Sequence, residues 1–359
     1  MKRAVKRIIL IVLVILVAFG IYAAYVFKTY YRLPDKLTLE VKRNGENSYF
    51  EEPLKIVPGN AYFIMTYNIG FGAYHKDYSF FMDGGKQSWA DDEESVIAGV
   101  CSMAEVINDV NPDFVLLQEV DIDGTRSYHV DELELLNQFV KGYYYDYAQN
   151  YDSPFLFVPP WQPHGANKSG LVTYSRAKIT DAMRRSLPIS ESFSKLMDLD
   201  RCYSISRIPT ENGRQLCIYN VHTSAYGGSD EIRAAQLATL YEEMEADYRE
   251  GNYVICGGDF NHDLREEKVE NAPKWAYNFP RETLPEGFQM GIDCAKDAED
   301  VAHNTYRSAE TPYDEETSYT VTLDGFIVSE NVKVNYYQHM NWGYEFSDHD
   351  PVLMQFILE

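Results

Sequence analysis

Acidic, amide and imidazole side chains border the apolar runs of this sequence, where buried strands would begin or end. The run QLCIYNV is followed directly by His222, for example. Each such side chain has a structural explanation of its own, because strand-end carboxylates are commonly solvated and isolated histidines are commonly just hydrogen-bonded. The residues at these borders are Asn68, Glu119, His222, Asp259, Asn261, Asp324, Asp348 and His349. Their recurrence at comparable positions favours one shared site over independent accidents.

The residue types at these borders predict metal-dependent hydrolysis. Carboxylate and amide oxygens are hard donors, which suit Mg²⁺ or Mn²⁺ better than zinc. Histidines beside such an ion can move protons and stabilise negative charge. The sequence has no motif of an activated serine or cysteine nucleophile and no phosphate-binding Gly-Lys-Thr loop. A hydrolase that uses activated water follows from this combination.

The elements that would position these residues are short apolar strands. Most are apolar on both faces, which is typical of strands covered from both sides. The predicted strands are AYFIMTYNI, DFVLLQEV, SGLVTYSR, CYSISRI, QLCIYNVHT, YVICGGDF, LDGFIVS and PVLMQFIL. The dipeptide Asn212-Gly213 predicts a hairpin turn between two of them, because these residues readily adopt positive φ.

Three helices are predicted between the strands. They cover residues 92–110, 131–141 and 230–249 and are followed by Asn111-Pro112, Gly142 and Gly251, which are stop signals. The regular alternation of helix and strand expected of a doubly wound sheet is absent. The sequence therefore predicts an α/β fold, a four-layered α-β-β-α sandwich.

The N-terminal segment predicts attachment to a membrane. Residues 8–27 carry no charge, and a helix of this length spans a bilayer core. The basic Lys2, Arg3, Lys6 and Arg7 precede it, so the N-terminus should stay cytoplasmic and the remainder should lie outside. The alternative is a cleaved signal peptide, whose apolar core is usually only about 7–15 residues long. The expected organisation is a cytoplasmic tail (1–7), a single transmembrane anchor (8–27), a polar stalk (28–60) and a catalytic domain (61–358).

Charge bears on the choice of partner. The formal net charge is −23, and such a protein repels polyanions unless cations or a basic patch intervene. Binding of nucleic acid depends on lysine and arginine that neutralise phosphates, so this composition disfavours a nucleic-acid partner. No obligate protein partner is inferred.

Seven segments resemble, in order, the motifs of the endonuclease/exonuclease/phosphatase superfamily. They are TYNIG, LLQEVD, SGLVTYSR, YNVHTS, GGDFN, LDGFIVS and SDHDPV, of which GGDFN and SDHDP are the more specific. The superfamily includes DNase I, the AP endonucleases, neutral sphingomyelinases and inositol polyphosphate 5-phosphatases. The resemblance covers about residues 61–358 and implies a DNase I-like fold and a metal-dependent phosphoesterase.

The resemblance also implies which residues hold the metal ion and the attacking water. Glu119 would be the principal ligand of Mg²⁺, with Mn²⁺ as the alternative. Asn68 and Asp348 would be further ligands, directly or through water. Asp259 and Asn261 would handle the attacking water and orient the phosphate.

The resemblance implies proton-handling roles for the remaining residues. His349 would contact the scissile phosphate or act as base, and Asp324 would hold it in its working tautomer. His222 would stabilise charge on the phosphorane or help to protonate the leaving oxygen. Tyr219 falls where some members have an active-site tyrosine.

Two substrate classes remain open at this stage. One is a small-molecule or lipid-derived phosphodiester or monoester at the outer face of a membrane. The alternative is DNA, which would make the protein an extracellular DNase I-type nuclease. The aromatic stretches YSFFMDGG (78–85) and SPFLFVPPWQP (153–163) would favour lipid or sugar-like ligands if exposed, or else pack the edge of the core. Arg126, His129 and His164 are candidate substrate contacts in nearby loops.

Overall fold

The computed structural model describes residues 2–45, 52–190, 200–225, 229–265, 277–297 and 299–359. Two seven-stranded sheets pack face to face and carry helices on their outer faces. The predicted α-β-β-α sandwich is therefore confirmed.

Four α-helices lie in the described residues: α1 Lys2–Thr29, α2 Glu93–Val110, α3 Glu132–Phe139 and α4 Asp230–Arg249. The strands in chain order are β1 Leu37–Thr38, β2 Lys42–Arg43, β3 Ala61–Asn68, β4 Phe114–Gly124, β5 Tyr144–Asp152, β6 Asn167–Ser175, β7 Asp181–Ser186, β8 Cys202–Pro209, β9 Gln215–His222, β10 Tyr253–Asp259, β11 Phe288–Met290, β12 Tyr306–Arg307, β13 Thr320–Val321, β14 Asp324–Ser329, β15 Val332–His339 and β16 Val352–Leu358.

Each large sheet contains one parallel pair of strands. The first sheet has the order β15-β16-β3-β4-β6-β5-β2, with β3 parallel to β4. The second has the order β1-β7-β8-β9-β10-β14-β11, with β9 parallel to β10. Because the two strands of a parallel pair end at the same edge of their sheet, each pair delivers two strand ends to one place.

The core has three apolar layers. Ile64, Leu116, Ile218 and Ile255 are among the fully buried residues between the two sheets. A second cluster lies between the first sheet and α2, and a third lies between the second sheet and α4. Both faces of each sheet are thus covered, which explains why the central strands are apolar on both sides.

Side-chain caps set the helix boundaries. The Asp92 carboxylate accepts from the backbone N–H of Ser95 at 2.7 Å, and Asp131 caps α3 in the same way. A capping residue is not itself helical, so α2 and α3 begin one residue later than predicted. Asn111 ends α2 with φ +53°, and α4 coincides with the predicted 230–249.

Besides five strands of two or three residues, three longer strands were not predicted: β5, β7 and β15. Their sequences, YYDYAQNYD, DAMRRS and VKVNYYQH, are rich in tyrosine and polar residues. The buried face of β5 includes Asp146, whose Oδ2 accepts from Ser206 Oγ at 2.6 Å. Burial of a polar residue through such a bond leaves no apolar pattern for sequence reasoning to detect.

The N-terminal region contacts the sandwich. By length and composition α1 qualifies as a membrane span, and a signal sequence would qualify equally. Within the predicted stalk, β1 pairs with β7 and β2 pairs with β5. Part of this segment thus extends an edge of each sheet.

Candidate active site

The ends of strands from both sheets converge on one cluster of polar side chains. In the second sheet, Asp259 is the cross-strand neighbour of both His222 and Asp324. In the first sheet, Asn68 ends β3 beside β4, which carries Glu119. His349 lies just before β16, which pairs with β3. Residues far apart in sequence therefore meet because of strand order.

Asn68 lies at the centre of this cluster. Its Nδ2 is 3.3 Å from Glu119 Oε1, 3.1 Å from Asp259 Oδ2 and 3.4 Å from His349 Nε2. Its Oδ1 accepts from the backbone N–H of Gly70 at 3.0 Å. One amide thus contacts side chains carried by both sheets, and its nitrogen faces the two carboxylates.

Glu119 is the carboxylate of the cluster that faces solvent. Its side chain is 22% exposed, whereas that of Asp259 is 2% exposed. The backbone at Glu119 has φ +57°, and the pairing of β4 with β6 shifts register between Leu117 and Val120. A bulge of this kind redirects a side chain, and a non-glycine residue at positive φ stores about 1–3 kcal/mol of strain. The fold therefore holds this carboxylate in an unfavourable backbone conformation at the mouth of the site.

Asp259 and Asn261 form a tight turn after β10. The backbone N–H of Asn261 donates to Asp259 Oδ1 at 2.8 Å, and Asn261 Nδ2 donates to the carbonyl of Thr223 at 2.9 Å. Burial raises the pKa of Asp259 to about 7, with Asp324 adding to the rise and His349 opposing it. This carboxyl group thus changes its charge close to neutral pH.

His349 and Asp324 form a buried pair. His349 Nδ1 lies 2.7 Å from Asp324 Oδ2, and the ring of Tyr306 packs against the imidazole with centroids 4.9 Å apart. Burial alone would lower the pKa of His349, but the carboxylates of Asp324, Asp348 and Asp259 raise it to about 10. His349 is consequently an imidazolium at neutral pH, and its Nδ1–H donates to Asp324.

His222 is the second histidine of the cluster, and its pKa is shifted in the opposite direction to that of His349. Its Nε2 lies 3.4 Å from Asp259 Oδ2 and 4.0 Å from Glu119 Oε1. Burial, reinforced by the positive charges of Arg201, His349 and Arg126, lowers the pKa of His222 well below its ordinary value. The ring is therefore neutral, and within the described residues its buried Nδ1 has no hydrogen-bond partner.

Asp348 lies beside the cluster on the same segment as His349. Burial raises its pKa to about 7, and Glu119 is among the groups whose negative charge adds to the rise. Ser347 Oγ donates to the backbone carbonyl of Asn68 at 2.8 Å. A Cβ on Gly70, which has φ +52°, would lie 3.2 Å from Asp348 Oδ1. The close approach of these two segments thus requires glycine there.

Tyr219 does not join the cluster, and its prediction as an active-site residue is corrected here. Successive side chains of a strand point to opposite faces, and Tyr219 packs with Leu240 and Met244 on the side of α4. Its hydroxyl donates to Asp247 Oδ2. An odd separation of three residues from His222 places the tyrosine on the other face of the second sheet.

An amide network directly below the site was missed by sequence reasoning. Gln118 Nε2 donates to Asn220 Oδ1 at 2.9 Å, and Asn220 Nδ2 donates to the carbonyls of Leu117 and Val172. These bonds connect the two sheets through the core. Alternation provides the signal that would have found Asn220, because a residue two positions before His222 shares its face.

The three candidate substrate contacts in loops have local partners. Arg126 makes two bonds to the Asp121 carboxylate, at 3.0 and 2.8 Å, and its guanidinium lies 3.8 Å from the centre of the Phe71 ring. His129 pairs with Asp123 at the surface, and His164 packs against Ser88. The structure brings none of the three into the cluster.

The donor set fits a divalent cation. Ligand atoms of Asp259, Asp324 and His349 lie within 4.8 Å of one another, but Asp324 and His349 already bond each other. Burial raises the pKa of Asp259 and of Asp348, which means that both carboxylates lack sufficient positive charge nearby. A cation held by oxygen donors would supply that charge.

Comparisons with known proteins bear on both the family and the fold. The model of the family described as "Endonuclease/Exonuclease/phosphatase family" matches residues 65–349. No curated protein matches the chain.

Three solved structures illustrate the similarity of fold. The endonuclease/exonuclease/phosphatase from Beutenbergia cavernae DSM 12333 is 17% identical, with a TM-score of 0.57 over 83% of this chain and 72% of that one. A family protein from Bacteroides thetaiotaomicron is 15% identical, with a TM-score of 0.54 over 84% of this chain and 98% of that one. D. rerio TDP2, solved with a single-strand DNA product, is 14% identical, with a TM-score of 0.54 over 82% of this chain and 98% of that one. Identities this low demonstrate a shared fold only.

Proposed function

Because this chain belongs to the endonuclease/exonuclease/phosphatase family, and is thus a hydrolase that acts on phosphoester bonds, we propose that it cleaves a small-molecule or lipid-derived phosphoester at the outer face of a membrane. The observation that carries the proposal is that side-chain atoms of Glu119, Asp259 and His349 all lie within 3.4 Å of one atom, Asn68 Nδ2. Buried acidic groups without matching positive charge destabilise a fold. Their presence here is therefore best explained by function.

Glu119, Asn68 and Asp348 are the residues that we propose to hold Mg²⁺, with Mn²⁺ as the alternative. Glu119 is partly exposed, and Asp348 is buried but close enough for the negative charge of Glu119 to raise its pKa. As a ligand through oxygen, Asn68 would turn its amide, since its oxygen now accepts from Gly70. Such an ion, when bound, stabilises the negative charge that develops on a phosphoryl oxygen.

Asp259 is the group that we propose to accept the proton of the attacking water. A general base works best with a pKa near the operating pH, and burial raises that of Asp259 to about 7. The Asn261 N–H fixes Oδ1. Oδ2, on the side of Asn68 and His222, is the oxygen that would receive the proton.

The two histidines would act on different oxygens of the phosphoester. His349, as an imidazolium, would carry a proton at Nε2, which lies 3.8 Å from Asp259 Oδ2, and would donate it in a hydrogen bond to a phosphate oxygen. Asp324 fixes the ring through Nδ1. His222, which is neutral, would donate a hydrogen bond from Nε2 to the leaving oxygen without adding charge.

The proposed substrate class rests on charge. The net charge of −23 disfavours a long polyanion, and Arg126, a cation near the site, is neutralised by Asp121. A single phosphoester group of a small molecule or lipid headgroup requires no extended basic groove.

The proposal is tested with the full chain in lipid vesicles and added Mg²⁺. Hydrolysis of bis(p-nitrophenyl) phosphate and release of phospholipid headgroups are measured beside cleavage of plasmid DNA at physiological salt. We expect Glu119→Gln to lower turnover by roughly 10²–10³-fold, as for loss of one electrostatic stabiliser. The matched control is Asp123→Asn on the same strand, whose side chain is 58% exposed and pairs with His129; it should retain activity. Plasmid cleavage without turnover of the small ester or lipid would refute the substrate class, and full activity of Glu119→Gln would refute the site.

A further inference from the structure

The loop between β5 and β6, residues 153–166, exposes apolar side chains. Phe157 is 57%, Val158 45% and Trp161 71% exposed. The sequence SPFLFVPPWQPHGA contains no charged residue in a protein of net charge −23. Its only titratable group, His164, is neutral because burial lowers its pKa to about 3. An exposed, uncharged and apolar loop on an acidic protein indicates an interaction site.

The loop is attached to α1. Tyr22 donates through its hydroxyl to the carbonyl of Phe155 at 3.2 Å and accepts from the N–H of Phe157 at 3.1 Å. The rings of Tyr22 and Phe157 meet edge to face, with centroids 5.3 Å apart. Tyr25 also accepts from the N–H of Phe155, at 3.5 Å. The exposed apolar tip therefore adjoins the apolar helix.

The depth of this contact along α1 is informative. Tyr22 precedes the end of the uncharged run at Phe27 by five positions, which is about 7.5 Å along an α-helix. If the run spans the hydrocarbon core of about 30 Å, the contact lies roughly 7 Å inside its outer boundary. Interfacial elements typically bury their apolar face by about 5–10 Å. The loop thus lies at the depth of a membrane-inserted element.

Backbone polar groups of the loop are paired within the protein, which suits surroundings with little water. Non-helical chain is tolerated at such depth only where its polar groups are satisfied. Leu156 and Gly165 exchange both backbone hydrogen bonds, and the N–H of His164 donates to the carbonyl of Val158 at 2.9 Å. Pro159 and Pro160 have no N–H to satisfy. The Trp161 indole N–H donates to the carbonyl of Lys86 at 3.4 Å.

We propose that the 153–166 loop inserts its tip, Phe157, Val158 and Trp161, into the outer leaflet of the bilayer that α1 spans. The inference rests on the proposed membrane anchorage but not on the chemistry of the site. The loop also packs on the segment that follows Asn68, because Trp89 Nε1 donates to the carbonyl of Pro163 at 2.7 Å. Insertion therefore fixes the orientation of the active site relative to the lipid headgroups.

The test is fluorescence quenching with the full chain in vesicles whose lipids are brominated near the top of the acyl chains. Trp161 is one of four tryptophans, so we expect these lipids to quench about a quarter of the emission. Trp161→Phe, which preserves an apolar tip, should abolish this quenching. Phe157→Ser, which leaves Trp161 as reporter, should reduce it. The control Trp342→Phe removes a 37% exposed tryptophan outside the loop; it should leave the quenched intensity unchanged, which is then about a third of the emission of the three remaining tryptophans.

Extraction of the same vesicles with alkaline carbonate distinguishes anchorage by α1 from insertion of the loop. Retention of the chain, with quenching that depends on Trp161, supports the proposal. Retention with equal quenching in wild type and Trp161→Phe overturns the insertion of the loop and leaves the anchor intact. Release of the chain by carbonate overturns the anchorage and with it the loop proposal, while the Glu119→Gln assay judges the catalytic site independently.

Discussion

Replacing Asp324 by asparagine removes the negative charge that faces the buried His349 ring, with little change in side-chain size. The two groups are 2.7 Å apart, and both side chains are at most 5% exposed. Asparagine retains an oxygen that accepts from Nδ1, so the ring can keep its orientation while it loses the charge opposite. Since burial lowers the pKa of His349 and Asp324 is the largest contribution that opposes burial, we expect the variant to titrate near or below the ordinary value.

The structure gives the size of the effect. The surrounding carboxylates raise the pKa of His349 from 6.5 to about 10, which corresponds to about 5 kcal/mol in favour of the imidazolium at 1.36 kcal/mol for each tenfold change. At pH 8 the wild-type ring is protonated and the variant ring is neutral. Loss of a proton donor typically costs about 10²–10⁴-fold in rate. We expect kcat/KM of the variant to be lower than that of wild type by a factor of that order at pH 8. The difference should narrow as the pH falls and the variant ring regains its proton.

The assay is the pH profile of kcat/KM for bis(p-nitrophenyl) phosphate, with unfolding measured in parallel. A raised histidine pKa contributes stability that is fully present below pH 6.5 and is lost as the pH approaches about 10; the Asp324→Asn variant should lack this decline. The matched control is Asp350→Asn, which removes the charge from another carboxylate–imidazole pair of equal length, the partly buried pair between Asp350 Oδ2 and His303 Nε2 at 2.7 Å. The control should lose stability while its kinetic profile stays parallel to that of wild type.

A constant deficit for Asp324→Asn from about pH 6 to pH 9 would refute the reasoning, because a changed proton affinity must produce a pH-dependent deficit. An equal change of profile in Asp350→Asn would show that any broken carboxylate–imidazole pair has this effect. Either result would remove Asp324 from proton handling.

Three further changes probe the remaining parts of the structure. Tyr219→Phe removes the bond to Asp247; it should cost about 1–3 kcal/mol in chemical denaturation with kcat unchanged, and a fall in kcat would reinstate the tyrosine in the site. Burial raises the pKa of Asp146 to about 7, so the native state binds a proton that the unfolded state releases, and this group alone should lower the wild-type free energy of unfolding by up to about 4 kcal/mol as the pH rises from about 4 to 7. Asp259 and Asp348 contribute to the same slope, so Asp146→Asn should make the slope shallower in denaturation curves at acidic and neutral pH, and an unchanged slope would contradict the assignment. Gln118→Leu leaves Asn220 Oδ1 unpaired and should cost about 1–3 kcal/mol; no loss in thermal unfolding would show that the network is dispensable.

The sandwich was predictable because its central strands are covered on both faces. β3, β9, β10 and β16 are continuous apolar runs, and these form the middle of the two sheets. β5 and β7 lie nearer the edges and combine tyrosine and arginine with buried polar contacts, such as that between Asp146 and Ser206. The pairing partner that permits such burial comes from a distant segment, which no local pattern records.

The polar residues of the site were detectable because each lies at the boundary of an apolar run. The opposite pKa shifts of the two histidines were not detectable, because both residues lie beside strands and differ only in their surroundings. His349 faces Asp324, whereas His222 has the charges of Arg201 and Arg126 nearby. Tyr219 was misassigned because motif spacing outweighed strand alternation. The left-handed backbone of Glu119 likewise arises from pairing between strands and has no local sequence signal.

The position of β16 in the first sheet has a consequence for biosynthesis. This strand lies between β15 and β3, so the segment 352–358 occupies an interior position of a sheet whose other members, except β15, were made much earlier. A nascent chain emerging from a ribosome or a translocation pore carries Asn68 and Glu119 long before the strand that brings His349 to them. The candidate site is therefore complete only after residues 352–358 have been made and β16 has entered the gap, and we expect a product shortened by a premature stop codon before Val352 to be inert.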